Sequence, residues 1–536
     1  MPNQLHCLCW QTCALLEPSP DQTARALLEV LERIAVHGAT SAIAADIATA
    51  LRDRMQTDLA MRWVEVALAI ETDHIQALTV KASIESNRGD EMTAIATYHQ
   101  ILNIAPMQLQ GYHELCRLLK SQRNWNGALA VIDAALAIFP DIAALCAEKS
   151  DLLCRLHRQE DALLFLRTLP PTVRDSSCLK SAWVHALNAA GQFERAIGIL
   201  RAGAHRAVAS EELDIPTINQ WLTELISSGN SKKQLHNDLA FFAKFWRLDR
   251  RYQGLLACYA MLQAWLDGNV DTVMEIAGQH TDFESLPDID ADRAMRVFYR
   301  YVLQLAQTST PCASLPVPLV TLNVIGESHC LSPANSVFDW HGQLVQARAR
   351  FVMGVQMHHL AKLGENAYKQ RLLSHLNDID NGPLLLTIGE IDCRPVEGMW
   401  KAAVRTNTAL NDLMDLTVSG YFSFLDKVLP GRKFSSITIQ GIPAPGYDLT
   451  DRRNPGDKQG FITMIRRANS LLKAGARSRQ WHFLDIHAAT TKRDGLGNGL
   501  WHLDRYHLSP AFYQHAMKSM TVNTTAEARR QVPDEM

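Results

Sequence analysis

The chain has 536 residues, of which 47% are apolar and 20% charged, with a formal net charge of -3 at neutral pH. That length exceeds what one ordinary core can hold, and the balance excludes a disordered or fibrous chain. The near-neutral charge excludes bulk attraction to nucleic acid or anionic lipid, and Arg452-Arg453 and Arg466-Arg467 read as solvated surface.

Residues 1–38 form a first segment with neither the basic start nor the apolar run of a secretion signal. Nowhere do about 18 apolar residues follow one another, so no membrane span is expected. The eleven cysteines are scattered and contain no CxxC pair, which fits reduced thiols in the cytoplasm. Cys7, Cys9 and Cys13 lie close together but lack a second ligand pair at zinc spacing, so no metal is expected.

Residues 39–205 repeat. Ala60, Ala94, Ala128, Ala162 and Ala196 recur every 34 residues, and Ala67 and Ala135 follow two helical turns later. Pro106 and Pro140 end their helices, because proline cannot donate the next hydrogen bond. Turn signals precede the alanines, as in Asn87-Arg-Gly-Asp and Gln122-Arg-Asn-Trp-Asn. The unit is helix, tight turn, helix, with small residues where the helices cross. Five such units resemble the tetratricopeptide repeat, which implies a stacked array with a long surface for a protein partner. From 206 to 310 the helical period persists without the repeat, with aromatic-rich stretches such as Val297-Phe-Tyr-Arg-Tyr. These residues read as a helical extension capping the array, its aromatics as core, and Ser228-Gly-Asn-Ser-Lys-Lys as a break.

After Pro318 the pattern changes. Leu319–Ile325, Pro383–Ile388, Ser436–Gln440 and His482–Ile486 are apolar, strand-length runs separated by helical stretches such as Trp400–Leu429 and Asp457–Ala474. This alternation predicts an α/β three-layer domain over 319–520 with a mostly parallel sheet, followed by a tail at 521–536. Ligands of such sheets bind beyond the carboxyl ends of the strands. Those ends carry Gly326-Glu-Ser-His329, Gly389-Glu-Ile-Asp-Cys-Arg394 and, further on, Asp504-Arg-Tyr-His507.

Acyl transfer needs a hydroxyl nucleophile, a base and a carboxylate to orient the base. Ser328, His507 and Asp504 supply these types, and Asp504 is near enough to His507 in sequence to hold it. The set resembles the SGNH (GDSL-like) hydrolase superfamily, whose fold is flavodoxin-like. The first block is Gly326-Glu327-Ser328, with glutamate for the family's aspartate. The second is Gly354, the third Gly389-Glu390-Ile391-Asp392, and the last Asp504-Arg505-Tyr506-His507. The resemblance implies catalysis by Ser328, Asp504 and His507, with Gly354, Gly389, Asp392, Arg394, Glu327 and His329 as oxyanion or pocket residues.

Ile391 departs from the pattern, since it stands where the family has an asparagine donor. Losing one such donor costs roughly 100- to 1000-fold in rate. Asp392 and Arg394 read as an ion pair beneath the site, Cys330 and Cys393 as buried small hydrophobes, and Gly441–Tyr447 as a pocket wall or lid. The expected function is a serine esterase, acyl hydrolase or acyltransferase on a small ester such as an O-acylated glycan, needing no cofactor. The alternative is an interaction scaffold with a silent SGNH-like domain. A glycosyltransferase would want a glycine-rich phosphate loop, and no such loop is found.

Overall fold

The computed structural model describes residue 12 and residues 40–174, 176–209, 222–223, 250–279, 290–309, 319–379, 381–395, 397–446 and 457–514. Cys7, Cys9 and Cys13, the 228–233 break, Tyr447 and the 521–536 tail lie outside the described residues. Residues divide into two compact units, 1–186 and 187–536.

In the first unit the helices are α1 (Ser41–Asp53), α2 (Thr57–Ile70), α3 (Ile75–Asn87), α4 (Glu91–Ile104), α5 (Leu109–Ser121), α6 (Trp125–Ile138), α7 (Ala143–Arg155), α8 (Gln159–Thr168) and the single turn α9 (Pro171–Arg174). From α1 to α8 each packs on the next in the chain. The division between the units falls inside α10 (Ser177–Ala189), which α11 (Phe193–Ala209) follows.

All five repeat alanines are fully buried, as are Ala67 and Ala135. Every first helix ends on a left-handed residue, again 34 apart: Met55 (φ 62°), Gly89 (86°), Arg123 (57°), His157 (61°) and Gly191 (72°). At each the same pair of hydrogen bonds closes the helix, for example Arg123 N–H to Lys120 O (3.0 Å) and Asn124 N–H to Leu119 O (2.9 Å). Three of the five positions are not glycine, although that conformation costs an L-residue roughly 1–2 kcal/mol. Polar side chains tie successive repeats together: Gln76 donates to Asp46 (2.8 Å), Arg117 to Ser86 (3.1 Å) and Ser121 to Glu91 (3.0 Å).

The second unit also contains α12 (Arg250–Asp267), α13 (Val270–Gln279) and α14 (Asp290–Thr308). Its strands are β1 (Val320–Gly326), β2 (Val337–Trp340), β3 (Gln343–Phe351), β4 (Leu384–Thr387), β5 (Ile437–Gln440) and β6 (His482–Leu484). The order in the sheet is β2-β3-β1-β4-β5-β6. Five strands are parallel, and β2 runs antiparallel to β3 at one edge. The sheet is therefore mixed, so the expected mostly parallel sheet is met in part: the step from β1 to β3 passes through the antiparallel edge strand β2. The β2–β3 turn puts His341 (φ 53°) and Gly342 (φ 83°) both left-handed, as a two-residue hairpin turn of matching twist requires.

Helices α15 (Met357–Ala361), α16 (Ala367–Asn377), α17 (Met399–Thr406), α18 (Leu410–Val428) and α19 (Lys458–Arg477) share a core with Ile325, Leu384, Leu386 and Ile439 on one face of the sheet. The expected single helix over Trp400–Leu429 is two, α17 and α18, because Asn407 adopts the left-handed conformation (φ 49°) and caps α17. The opposite face meets α14 through Phe298 and Phe351 (5.8 Å), and α12 packs beside β3. Phe338 of β2 reaches Tyr513, whose hydroxyl donates to Gln440 of β5 (2.8 Å), and His341 lies against His482 of β6 (4.6 Å). The sheet thus curls into a half-barrel around that face. A short helix, α20 (Ile486–Thr490), follows β6.

Candidate active site

The site begins where β1 stops. Gly326 is held so close to β4 that a Cβ would stand 2.3 Å from the Thr387 carbonyl oxygen, so only glycine fits. The chain then turns into a 3-10 helix over Ser328–Leu331, and Glu327 caps it by accepting the His329 N–H (3.1 Å). Ser328 is the first residue of that turn and is 5% exposed.

The partner comes from a loop almost 180 residues later. Asp504 shapes that loop itself, with one oxygen accepting the N–H groups of Tyr506 and His507 (2.7 Å each). Its other oxygen meets His507 Nδ1 at 2.7 Å, and His507 Nε2 lies 2.8 Å from Ser328 Oγ. A nitrogen facing a carboxylate carries the proton, so Nδ1 is the donor and Nε2 is left to face the serine. Burial would raise the Asp504 carboxyl, but His507 and the two N–H groups outweigh it and hold it well below the usual carboxylate range. The loop is pinned by Leu503 N–H to His507 O (2.8 Å), His502 Nε2 to Ala444 O (2.9 Å) and His329 Nε2 to Tyr506 O (2.9 Å).

A second chain of charges runs beneath the first. Glu327 and His329 are both 1% exposed and form an ion pair at 2.9 Å. Burial works against charging His329, and Glu327 more than offsets it, pushing its pKa up to about 9. Glu327 also accepts the Ser328 hydroxyl at 2.9 Å. Arg394 binds Glu390 through Nε (2.8 Å), reaches Glu397 (3.4 Å) and lies over the Tyr506 ring (4.4 Å). Asp392 does not pair with Arg394 as the sequence suggests. It accepts the N–H groups of Met357 (2.7 Å) and His358 (3.1 Å), fastening the third block to the start of α15, and burial pushes its pKa up to about 7.

Gly354 (φ 70°) and Gly389 (φ 143°) both hold conformations that favour glycine. Ile391 is buried at the start of a second 3-10 turn, Ile391–Cys393. Cys330 and Cys393 are buried, and burial pushes both thiols well up. Pro443, Ala444 and Pro445 line a small cavity with Glu390, Arg505 and Tyr506. Glu327, His329 and Glu390 approach closely enough to share a cation, but His329 and Arg394 already supply the opposing charge.

Sequence reasoning missed Tyr301 of α14. Its ring stacks on His507 (3.9 Å between centroids, 18° between planes), and its hydroxyl donates to the Ser328 carbonyl (3.2 Å) and meets Ser332 Oγ (2.8 Å). Nothing local marks it, since it sits in an aromatic helical face that reads as core. Glu390 and Tyr506 were also passed over, although each lies inside a block that was quoted. Trp265 of α12 adds a further tie, donating to Leu331 O (3.0 Å).

No protein-family model and no curated protein matches the chain. Among solved structures, it is similar to a tetratricopeptide repeat protein from Parabacteroides merdae, with 11% identity and a TM-score of 0.32, over 49% of this chain and 98% of that one. It is also similar to human IFIT1, solved as a dimer with PPP-AAAA, with 13% identity and a TM-score of 0.27, over 53% of this chain and 65% of that one.

Proposed function

We propose that residues 319–520 form an SGNH-like, flavodoxin-like serine acyl hydrolase or acyltransferase acting on a small ester such as an O-acylated glycan. The observation that carries this reading is the unbroken chain Ser328 Oγ, His507 Nε2, His507 Nδ1, Asp504 Oδ2, with links of 2.8 and 2.7 Å. Ser328 Oγ attacks the acyl carbonyl while His507 Nε2 takes its proton. The carbon–oxygen bond to the leaving alcohol breaks, and the alcohol departs with that proton. Water, or the hydroxyl of an acceptor sugar, then gives its proton to His507 and attacks the acyl carbon; the bond from that carbon to Ser328 Oγ breaks, and His507 returns the proton to Oγ as the acid or the new ester leaves. Water makes the protein a hydrolase, and a sugar hydroxyl makes it a transferase. No cofactor is required. Strand order supports the reading too, because β1 lies inside the sheet between β3 and β4, with the serine beyond its carboxyl end.

Within the same proposal, residues 39–205 are a tetratricopeptide-like array that docks a partner protein, 206–310 a helical extension, and the protein works in the cytoplasm. The regular helix pairs and their buried alanines support the array.

A second reading is an interaction scaffold whose α/β domain is silent. Ile391 favours it, since isoleucine offers no donor where the resemblance expects one. A fluorophosphonate probe separates the two readings, because it reports an activated serine whatever the natural ester. Labelling of the full chain that disappears in Ser328→Ala supports the enzyme. Equal labelling of both proteins, or none in either, leaves the scaffold. An aryl acetate assay on the same pair gives a second readout.

A further inference from the structure

Ser328 has one proton and two acceptors. His507 Nε2 is 2.8 Å away and Glu327 Oε2 is 2.9 Å away, so the hydroxyl cannot serve both at once. Attack on a carbonyl needs the proton directed at His507. A proton directed at Glu327 leaves the serine tied to a group that is not in the His507–Asp504 relay.

Glu327 is fixed in place. One oxygen is paired with His329 Nδ1, and the other caps the His329 N–H. His329 is itself anchored through Nε2 to the Tyr506 carbonyl. A carbonyl oxygen has no proton to give, so His329 Nε2 carries one. Glu327 Oε2 accepts from Ser328 and from the His329 N–H, while Oε1 lies 2.9 Å from His329 Nδ1 as an ionic contact without an aligned hydrogen bond, and that contact favours the charged form of both groups. The other ionisable groups around Glu327 are Arg394 and Glu390 after β4, Asp392 beside them, and His507 from the C-terminal loop.

We infer that Glu327 is a competing acceptor which holds the Ser328 proton away from His507 and so restrains the nucleophile. The inference rests on the acyl-transfer reading of the site. A hydrogen bond to a carboxylate is about twice as strong as one between neutral groups, so releasing it should raise serine reactivity by about tenfold. A purely structural carboxylate predicts the opposite, since losing its contacts would slow the site.

The test is the rate of fluorophosphonate labelling at fixed pH in the full chain. Glu327→Gln keeps the shape and removes the charge: its amide oxygen, in the place of Oε2, keeps the His329 N–H cap and faces Ser328 only as a neutral acceptor, its N–H group faces His329 Nδ1, and the competition for the serine proton weakens in favour of His507. Labelling at least fivefold faster than wild type, with the melting temperature kept, supports the inference. Labelling less than fivefold faster than wild type in a folded variant overturns it. Glu327→Asp, which keeps the charge but draws it back from Ser328, is the second variant should Glu327→Gln not fold. It is read against the same thresholds. Ser328→Ala separates this outcome from failure of the underlying reading. Where labelling does not depend on Ser328 the acyl-transfer reading falls, and where it does but Glu327→Gln gains nothing, only this inference falls.

Discussion

The two units of this protein reach a stable core by different routes. In the 1–186 unit each described helix packs on the next one or two in sequence, and ion pairs such as Arg155 with Asp151 reach solvent. In the other unit Ser328 meets a histidine 179 residues away, and the ion pair beneath it is almost wholly buried. Local packing tolerates imperfect residues, because each fault is confined to one turn. Long-range packing concentrates its requirements on a few positions, each of which has to satisfy several neighbours at once.

Glycines give the sharpest contrast. Gly326→Ala places a Cβ 2.1 Å from Thr387 Oγ1 and 2.3 Å from the Thr387 carbonyl, and the backbone there has nowhere to move. A loss of roughly 3 kcal/mol or more in denaturant unfolding is expected, together with loss of labelling. Gly111→Ala in α5 meets a flexible end, Leu102 Cδ2 at 2.9 Å. Alanine's helix preference of about 1 kcal/mol offsets that contact, so near-neutral stability is expected. Equal costs at the two sites would break the contrast.

Tyr301 tests how far the site depends on a distant helix. Tyr301→Phe keeps the stack on His507 and loses the hydroxyl's bonds to Ser328 O and Ser332, at an expected cost of about 1–2 kcal/mol. Tyr301→Ala also leaves a cavity and costs about 3–5 kcal/mol. Labelling should fall in the order wild type, Phe, Ala, with unfolding measured on the same samples.

An effect of similar size lies in pH. His329 has a folded pKa of about 9 against an ordinary 6.5, so it favours the folded state fully below about pH 6.5 and loses that contribution as pH rises through 9. The stability gap between wild type and His329→Gln should be widest near pH 6 and narrow by pH 10. A gap that does not change with pH would remove the charge from Glu327's partner.

The smallest expected effect returns to the repeats. Arg123→Gly and His157→Gly relieve left-handed strain at some cost in chain entropy, for a net gain of up to about 1 kcal/mol each. Gly89→Ala should lose about as much. Thermal unfolding of the full chain reads all three, and a loss in the two glycine variants would mean the repeat turns are not interchangeable.

How much was legible follows the same division. The 34-residue spacing of five alanines marks the helix pairs, because each repeat solves the same packing problem with its neighbours. Strands β1, β4, β5 and β6 were visible as apolar runs. The β2–β3 hairpin was not read: Gln343–Phe351 alternates, but His341-Gly342 lacks the asparagine or aspartate that usually marks such a turn. Asp504 and His507 were within reach of sequence reasoning because a three-residue spacing lets a carboxylate cap its own loop.

By itself, then, the sequence determined what is periodic or local: the repeat unit, most of the strands, and the residue types at strand ends. Tertiary structure alone decided that Asp392 turns to the backbone of α15 rather than to Arg394, that Tyr301 covers His507, and that His507 reaches Ser328. Those outcomes depend on which buried polar groups find partners across the fold. Burial makes an unpaired charge expensive, and no spacing along the chain records which partner is near enough to relieve it.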